Sequence, residues 1–138
     1  MSFIPYGRQD ISQDDIDAVV EILRSDFLTQ GPTVKKFEKC LAEYCDAKYA
    51  VAVNSATSAT SALHIACLAL DVGSNDIVWT SPITFVASAN SALYCGANVD
   101  FVDIDYETNN ISISALKDKL EKAKNSNSLP SVLIPVHM

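Results

Sequence analysis

One stretch near the middle of the chain constrains the fold most, because a strand pattern passes directly into a helix pattern there. Residues 49–53 form a short apolar run rich in β-branched and aromatic side chains, which predicts a buried strand. Residues 54–61 are all Asn, Ser, Thr or Ala. Apolar residues then recur at helical spacing, at Leu63, Ala66, Cys67 and Leu70. The stretch therefore predicts a strand, a tight turn and a helix.

The turn between this strand and this helix has two interpretations. A helix N-terminus presents N–H groups that have no partner within the helix, and its dipole adds partial positive charge, so a phosphate is favoured there. Hydroxyl donors in the turn come from Thr57, Ser58, Thr60 and Ser61. A Ser or Thr in the same place is equally explained as a helix N-cap. The local pattern leaves both interpretations open.

The rest of the chain repeats the alternation of strand and helix. Strands are predicted at 77–80, 99–104 and 132–136. Helices are predicted over 85–94, stopped by Gly96, and after Ser112. This order predicts a three-layer α/β/α fold with a mainly parallel sheet, and ligands of such sheets bind beyond the carboxyl ends of the strands. The segments expected at that edge are 54–61, 81–85, 103–106 and His137.

The first third of the chain predicts two helices and no strand. Ser12 is a suitable N-cap for a helix that runs to about Ser25, and Thr33 can cap a second helix. We therefore divide the chain into an N-terminal helical segment, 1–47, and the start of an α/β sheet, 48–138. Because the chain stops directly after a predicted strand, we expect a longer parent protein.

Composition excludes several classes of function. The net charge of −7 and the pI near 4.6 leave no basic patch for a nucleic acid. No apolar run reaches membrane-spanning length, and the N-terminus lacks a signal-peptide pattern. The four cysteines include no Cys-x-x-Cys pair, which argues against a metal site and favours a reduced, cytoplasmic setting.

Several motifs, in the same order and spacing, identify the chain as similar to a known family. They are Phe27-Leu28-Thr29-Gln30-Gly31-Pro32, Asn54-Ser55-Ala56-Thr57-Ser58, the segment 79–90 around Ser81-Pro82-Ile83-Thr84-Phe85, Cys95-Gly96-Ala97, Phe101-Val102-Asp103-Ile104-Asp105 and Ile134-Pro135-Val136-His137-Met138. The chain resembles the DegT/DnrJ/StrS sugar aminotransferases over essentially its whole length. The resemblance implies the N-terminal part of the large domain of a fold-type I transferase that depends on pyridoxal phosphate (PLP), usually a homodimer.

The resemblance also implies roles for individual residues. The cofactor phosphate would be held by Ala56, Thr57, Ser58, Ala59, Thr60 and Ser61. Phe85 would stack on the pyridine ring, although a plain core aromatic is the alternative. Tyr6 and Thr29 would line the sugar-nucleotide side of the cleft, whereas His137 is as readily structural and His64 is expected only to pack. The implied reaction transfers an amino group from glutamate to the C4 ketone of a UDP-linked deoxy-sugar.

Two features depart from the family pattern. Ser55-Ala56-Thr57 is repeated at once as Ser58-Ala59-Thr60, so the phosphate residues are Thr57 and Ser58 in one register, and Thr60 and Ser61 in the other, slightly favoured one. The resemblance also implies that the chain ends before the family's pyridine-nitrogen aspartate and its Schiff-base lysine. The lysines that are present lie mostly on polar helix faces, and none is expected at the ligand edge of the sheet. We therefore assign no catalytic residue and expect no turnover by this chain alone. The alternatives are a phosphate- or nucleotide-binding α/β module and a PLP-binding regulator.

Overall fold

The computed structural model describes residues 7–54 and 59–138. They divide into two compact units, the first ending at Ala52 and the second beginning at Val53. The first unit contains two helices, α1 (Gln13–Leu23) and α2 (Pro32–Tyr44). The second unit contains, in chain order, α3 (Thr60–Ala69), β1 (Ile77–Thr80), α4 (Ala87–Tyr94), β2 (Asn98–Phe101), α5 (Ile113–Asn125) and β3 (Val132–Ile134). None of the helices in the described ranges is long and apolar enough to cross a membrane.

The two helices of the first unit begin for different reasons. Ser12 caps α1 as predicted: its Oγ accepts from the Asp15 N–H at 3.2 Å, and the Asp15 carboxylate accepts from the Ser12 N–H at 2.8 Å. The prediction that Thr33 caps α2 is wrong, since the N-cap is Gly31. Pro32 occupies the first helical position, where its fixed φ suits a helix and its missing N–H costs nothing.

The three strands form a parallel sheet in the order β2-β1-β3, with β1 in the centre. Successive side chains of β1 point to opposite faces. Val78 packs in a cluster with Cys67 of α3 and Ala92 of α4, whereas Trp79 packs with Ala123 of α5. Helices therefore cover both faces of the sheet, and the prediction of a three-layer, mainly parallel α/β fold is confirmed.

The prediction of a strand at residues 49–53 is wrong. Tyr49 and Val51 are 76% and 70% exposed, and residues 49–53 pair with no strand in the described parts of the chain. The Ala52 N–H donates instead to the carboxylate of Glu38 on α2 at 2.9 Å. An apolar β-branched run becomes a strand only where a neighbouring strand takes up its backbone groups, and sequence pattern cannot supply that neighbour.

The remaining elements are mostly shorter than predicted. β2 ends at Phe101, and beyond it Ile104 forms only an isolated antiparallel bridge with Ile111. β3 ends at Ile134. Helix α4 starts at Ala87, two residues later than the pattern indicated. Its predicted stop is confirmed: Gly96 adopts a φ of +80°, which favours glycine, and the Ala97 N–H donates to the Ala92 carbonyl at 3.1 Å.

Lys119 joins α5 to the sheet through three contacts. Its Nζ lies 2.6 Å from the Asp100 carboxylate, donates to the Phe101 carbonyl at 2.6 Å and stands 4.8 Å from the centroid of the buried Trp79 ring. The hydrogen bond from Lys119 lowers the pKa of Asp100 below its ordinary value. Ionised Asp100 is therefore favoured by the folded state.

This ion pair predicts an acid-dependent loss of stability. A carboxyl group whose pKa is lower in the folded state contributes stability that is present above its unfolded pKa and is lost as the pH falls through the folded pKa. We expect Asp100→Asn to be destabilising near neutral pH, and to lose less further stability than the wild type between about pH 5 and pH 3. Urea unfolding over that pH range measures the difference. Equal pH slopes in the two proteins would contradict the prediction.

Candidate functional site

The carboxyl edge of the sheet gathers four chain segments. The loops that follow β1, β2 and β3 leave the parallel strands at this edge. Helix α3 is joined to the amino end of β1 by the short connection 70–76 and packs beside α4, so its N-terminus lies toward the same edge. The topology directs the described members of the predicted set toward this edge, namely 59–61, 81–85, 103–106 and His137.

The N-terminus of α3 has an unusual backbone conformation. Ala59, the N-cap, adopts φ 49° and ψ 23°, a left-handed conformation that costs an L-residue roughly 1–2 kcal/mol. Ala59 itself has no side-chain group that could cap the helix, and the Ser61 hydroxyl donates to the Asn54 Oδ1 at 3.2 Å. Thr60 and Ser61 occupy the first turn of the helix. Residues 56–58 and Tyr6 lie outside the described residues.

Phe85 follows β1 and presents its side chain to solvent. Within this chain it is 62% exposed. Its carbonyl accepts from the Ser88 N–H at 3.0 Å and from the Thr84 hydroxyl at 3.3 Å. Ser81, the first residue after β1, is fully buried, and its hydroxyl has no hydrogen-bond partner among residues 7–54 and 59–138. The loop after the central strand thus combines an exposed aromatic ring with one buried hydroxyl group.

A cavity of about 650 Å³ lies where the segments after β2 and β3 meet. Residues not anticipated from the sequence line it, among them Thr108, Asn110, Ser112 and Ser114, together with the anticipated Asp105 and His137. Hydrogen bonds, chiefly from the Thr108 backbone and side chain, lower the pKa of Asp105. The sequence feature that could have indicated this loop is the segment 105–110, Asp-Tyr-Glu-Thr-Asn-Asn. Asp, Asn and Thr side chains often form hydrogen bonds with the backbone of their own turn.

The other residues singled out in the sequence lie elsewhere. Thr29 is exposed in the loop between α1 and α2 of the first unit. His64 packs on Tyr94, with ring centroids 5.4 Å apart, as expected for a packing residue. In the part of the chain that the structure describes, no group of three His, Cys, Asp or Glu side chains could hold a metal ion.

A parallel sheet covered by helices on both faces, with hydroxyl-bearing turns at its carboxyl edge, defines an α/β protein of the class that binds ligands at that edge. The profile of the DegT/DnrJ/EryC1/StrS aminotransferase family matches residues 9–138. The chain belongs to this family.

Individual relatives agree with this assignment. The chain is 43% identical over 131 residues to a UDP-4-amino-4,6-dideoxy-N-acetyl-β-L-altrosamine transaminase from Campylobacter jejuni, covering 95% of this chain and 33% of the relative. It is similar in structure to Helicobacter pylori PseC, an aminotransferase involved in pseudaminic acid biosynthesis, with 34% identity, a TM-score of 0.79 and coverage of 95% and 33% of the two chains. The PMP-form of the Streptococcus pneumoniae sugar aminotransferase Spr1654 gives 30% identity, a TM-score of 0.78 and coverage of 96% and 31%. The chain spans about a third of the length of these relatives.

Proposed function

We propose that the full-length protein is a cytoplasmic, homodimeric, PLP-dependent aminotransferase that transfers an amino group from glutamate to the C4 ketone of a UDP-linked 4-keto-6-deoxy sugar. Family membership and the similarity to the Campylobacter jejuni and Helicobacter pylori aminotransferases support the reaction class and the substrate. The observation that carries the proposal is the placement of the α3 N-terminus and the exposed Phe85 toward one edge of the sheet.

The residues at this edge fit a phosphorylated aromatic cofactor. Thr60 and Ser61 start a helix whose N–H groups and dipole favour a phosphate, and the left-handed Ala59 fixes where that helix begins. Phe85 offers an exposed ring to a planar ligand. When bound, PLP supplies an electron sink for the transfer of the amino group.

The role of this chain's residues in the reaction is to bind and orient. Phe85 is proposed to orient the cofactor ring. The residues proposed to hold the cofactor phosphate are Ala56, Thr57, Ser58, Ala59, Thr60 and Ser61. Tyr6 and Thr29 are proposed to line the sugar-nucleotide side. The cofactor-carrying lysine is proposed to come from a part of the full-length protein outside residues 1–138. We expect the 138-residue chain alone not to transfer amino groups.

The proposal is tested by turnover of the full-length protein. Supplied with PLP, glutamate and a UDP-4-keto-6-deoxy sugar, it is expected to form 2-oxoglutarate and the 4-amino sugar in equal amounts, measured by coupled assay and mass spectrometry. Omission of glutamate is the control for the donor. If the protein binds PLP but transfers an amino group from no donor, the result favours the PLP-binding regulator. If it binds inorganic phosphate but not PLP, the result favours the phosphate- or nucleotide-binding module.

A further inference from the structure

Phe85 is held by a pair of hydroxyl groups on its own turn. The Thr84 Oγ1 lies 2.8 Å from the Ser88 Oγ and donates to the Phe85 carbonyl at 3.3 Å. Thr84 has one hydroxyl hydrogen. If it is used on the Phe85 carbonyl, the Ser88 hydroxyl must be the donor between the two side chains. Either hydroxyl can be the donor in the 2.8 Å contact; with the Thr84 hydrogen on the Phe85 carbonyl, the bonds run from Ser88 to Thr84 to that carbonyl.

The orientation of Phe85 depends mainly on the hydrogen bonds to its backbone carbonyl, because few side chains pack against its ring. The Phe85 side chain is 62% exposed, so packing constrains it little. The N-cap of helix α4 is Val86, whose apolar side chain cannot accept a hydrogen bond from the helix N-terminus. Ser88, in contrast, is only 8% exposed and is anchored in the helix, so it forms a fixed base for the Thr84 hydroxyl.

We propose that Thr84 is a positioning residue whose hydroxyl, supported by Ser88, holds the backbone of Phe85 so that its ring faces a planar ligand. The inference rests on the proposed function, which assigns Phe85 to the cofactor ring. Without the Thr84 hydroxyl, the Phe85 carbonyl keeps the Ser88 N–H but loses its second donor. The ring then samples more orientations, and part of the binding free energy is used to order it.

The experiment uses the full-length protein labelled with 4-fluorophenylalanine, and the Phe85 fluorine resonance is assigned by its loss in Phe85→Leu. Without PLP, we expect Thr84→Val to broaden or split this resonance relative to the wild type. We also expect PLP to bind about twofold to tenfold more weakly to the variant, the effect of one lost hydrogen bond. Thr84→Ser, which keeps the hydroxyl, should restore both readouts.

A matched control is Thr108→Val, which removes a hydroxyl that donates to Asp105 at 3.0 Å in a different loop and should leave the Phe85 resonance unchanged. Ser88→Ala removes the supporting donor and provides a second variant should Thr84→Val fold poorly. A Phe85 resonance as sharp as the wild type in Thr84→Val or Ser88→Ala would overturn the inference. A wild-type Phe85 resonance that does not respond to PLP would instead count against the proposed function, while the comparison of line widths without PLP still decides the role of Thr84.

Discussion

Replacing Trp79 with alanine is expected to destabilise the second unit by about 3–5 kcal/mol, the usual cost of removing a buried aromatic side chain. Trp79 is 2% exposed and packs with Val102 and Ala123, and the Lys119 ammonium stands over its ring. Its loss leaves a cavity between the central strand and α5 and removes the cation–π contact. The midpoint of urea unfolding, followed by far-ultraviolet circular dichroism, measures the effect.

Two further variants make this measurement specific. Trp79→Phe keeps an aromatic face beneath Lys119 and should lose less stability than Trp79→Ala. Phe37→Ala removes an aromatic side chain that is 57% exposed on α2, so it should change stability little. If Trp79→Ala costs no more than Phe37→Ala, the packing of Trp79 with Val102 and Ala123 does not stabilise the sheet.

The second large effect is expected in the doubled triplet. Thr60→Val should weaken the binding of phosphate or PLP about tenfold or more if the helix-side register is used, because a hydrogen bond to a charged group is worth about 1.5–3 kcal/mol. Thr57→Val should have that effect instead if the strand-side register is used. Titrations followed by the backbone amide resonances of residues 55–62 measure both variants.

Thr33→Val is a suitable control, because Thr33 also lies in the first turn of a helix, α2, but in the first unit. It should leave phosphate binding unchanged. If neither Thr57→Val nor Thr60→Val weakens binding and no amide in 55–62 responds to phosphate, the turn is only a helix start. The phosphate interpretation would then be rejected.

Local sequence patterns predicted most of the fold, because most of its elements are set by near neighbours. The central strand 77–80 was predicted with its observed bounds, and Ser12 and Ser112 cap helices where their side chains can reach the backbone three residues on. The prediction of a strand at 49–53 failed because a strand needs a neighbouring strand to bind its backbone groups, and a local sequence pattern does not show whether one is present. The prediction that Thr33 caps α2 failed because the helix begins one residue earlier, at Pro32, whose fixed φ suits the first helical position.

The candidate site was predictable in position but not in detail. Topology alone directs Phe85 and the start of α3 to the carboxyl edge. The contact between Thr84 and Ser88 was missed, because hydroxyl groups four residues apart have many possible partners and only the fold selects one. The assignment of the cofactor phosphate to Thr57 or Thr60 stays a prediction, since the repeated triplet offers chemically identical choices.

Small residues at the contact between α3 and α4 have a consequence for ligand choice. Cys67 of α3 meets Ser91 of α4 at 3.8 Å between side-chain Sγ and Oγ, and Ala92 is fully buried beside them. Such close packing resists sliding, because either helix would have to open voids or force overlaps. The start of α3 and the turn bearing Phe85 are thus held at a constant separation. A ligand that touched both, as the proposed function requires, would have to match that separation. The helix pair would then select ligands by the distance between their anionic and aromatic ends.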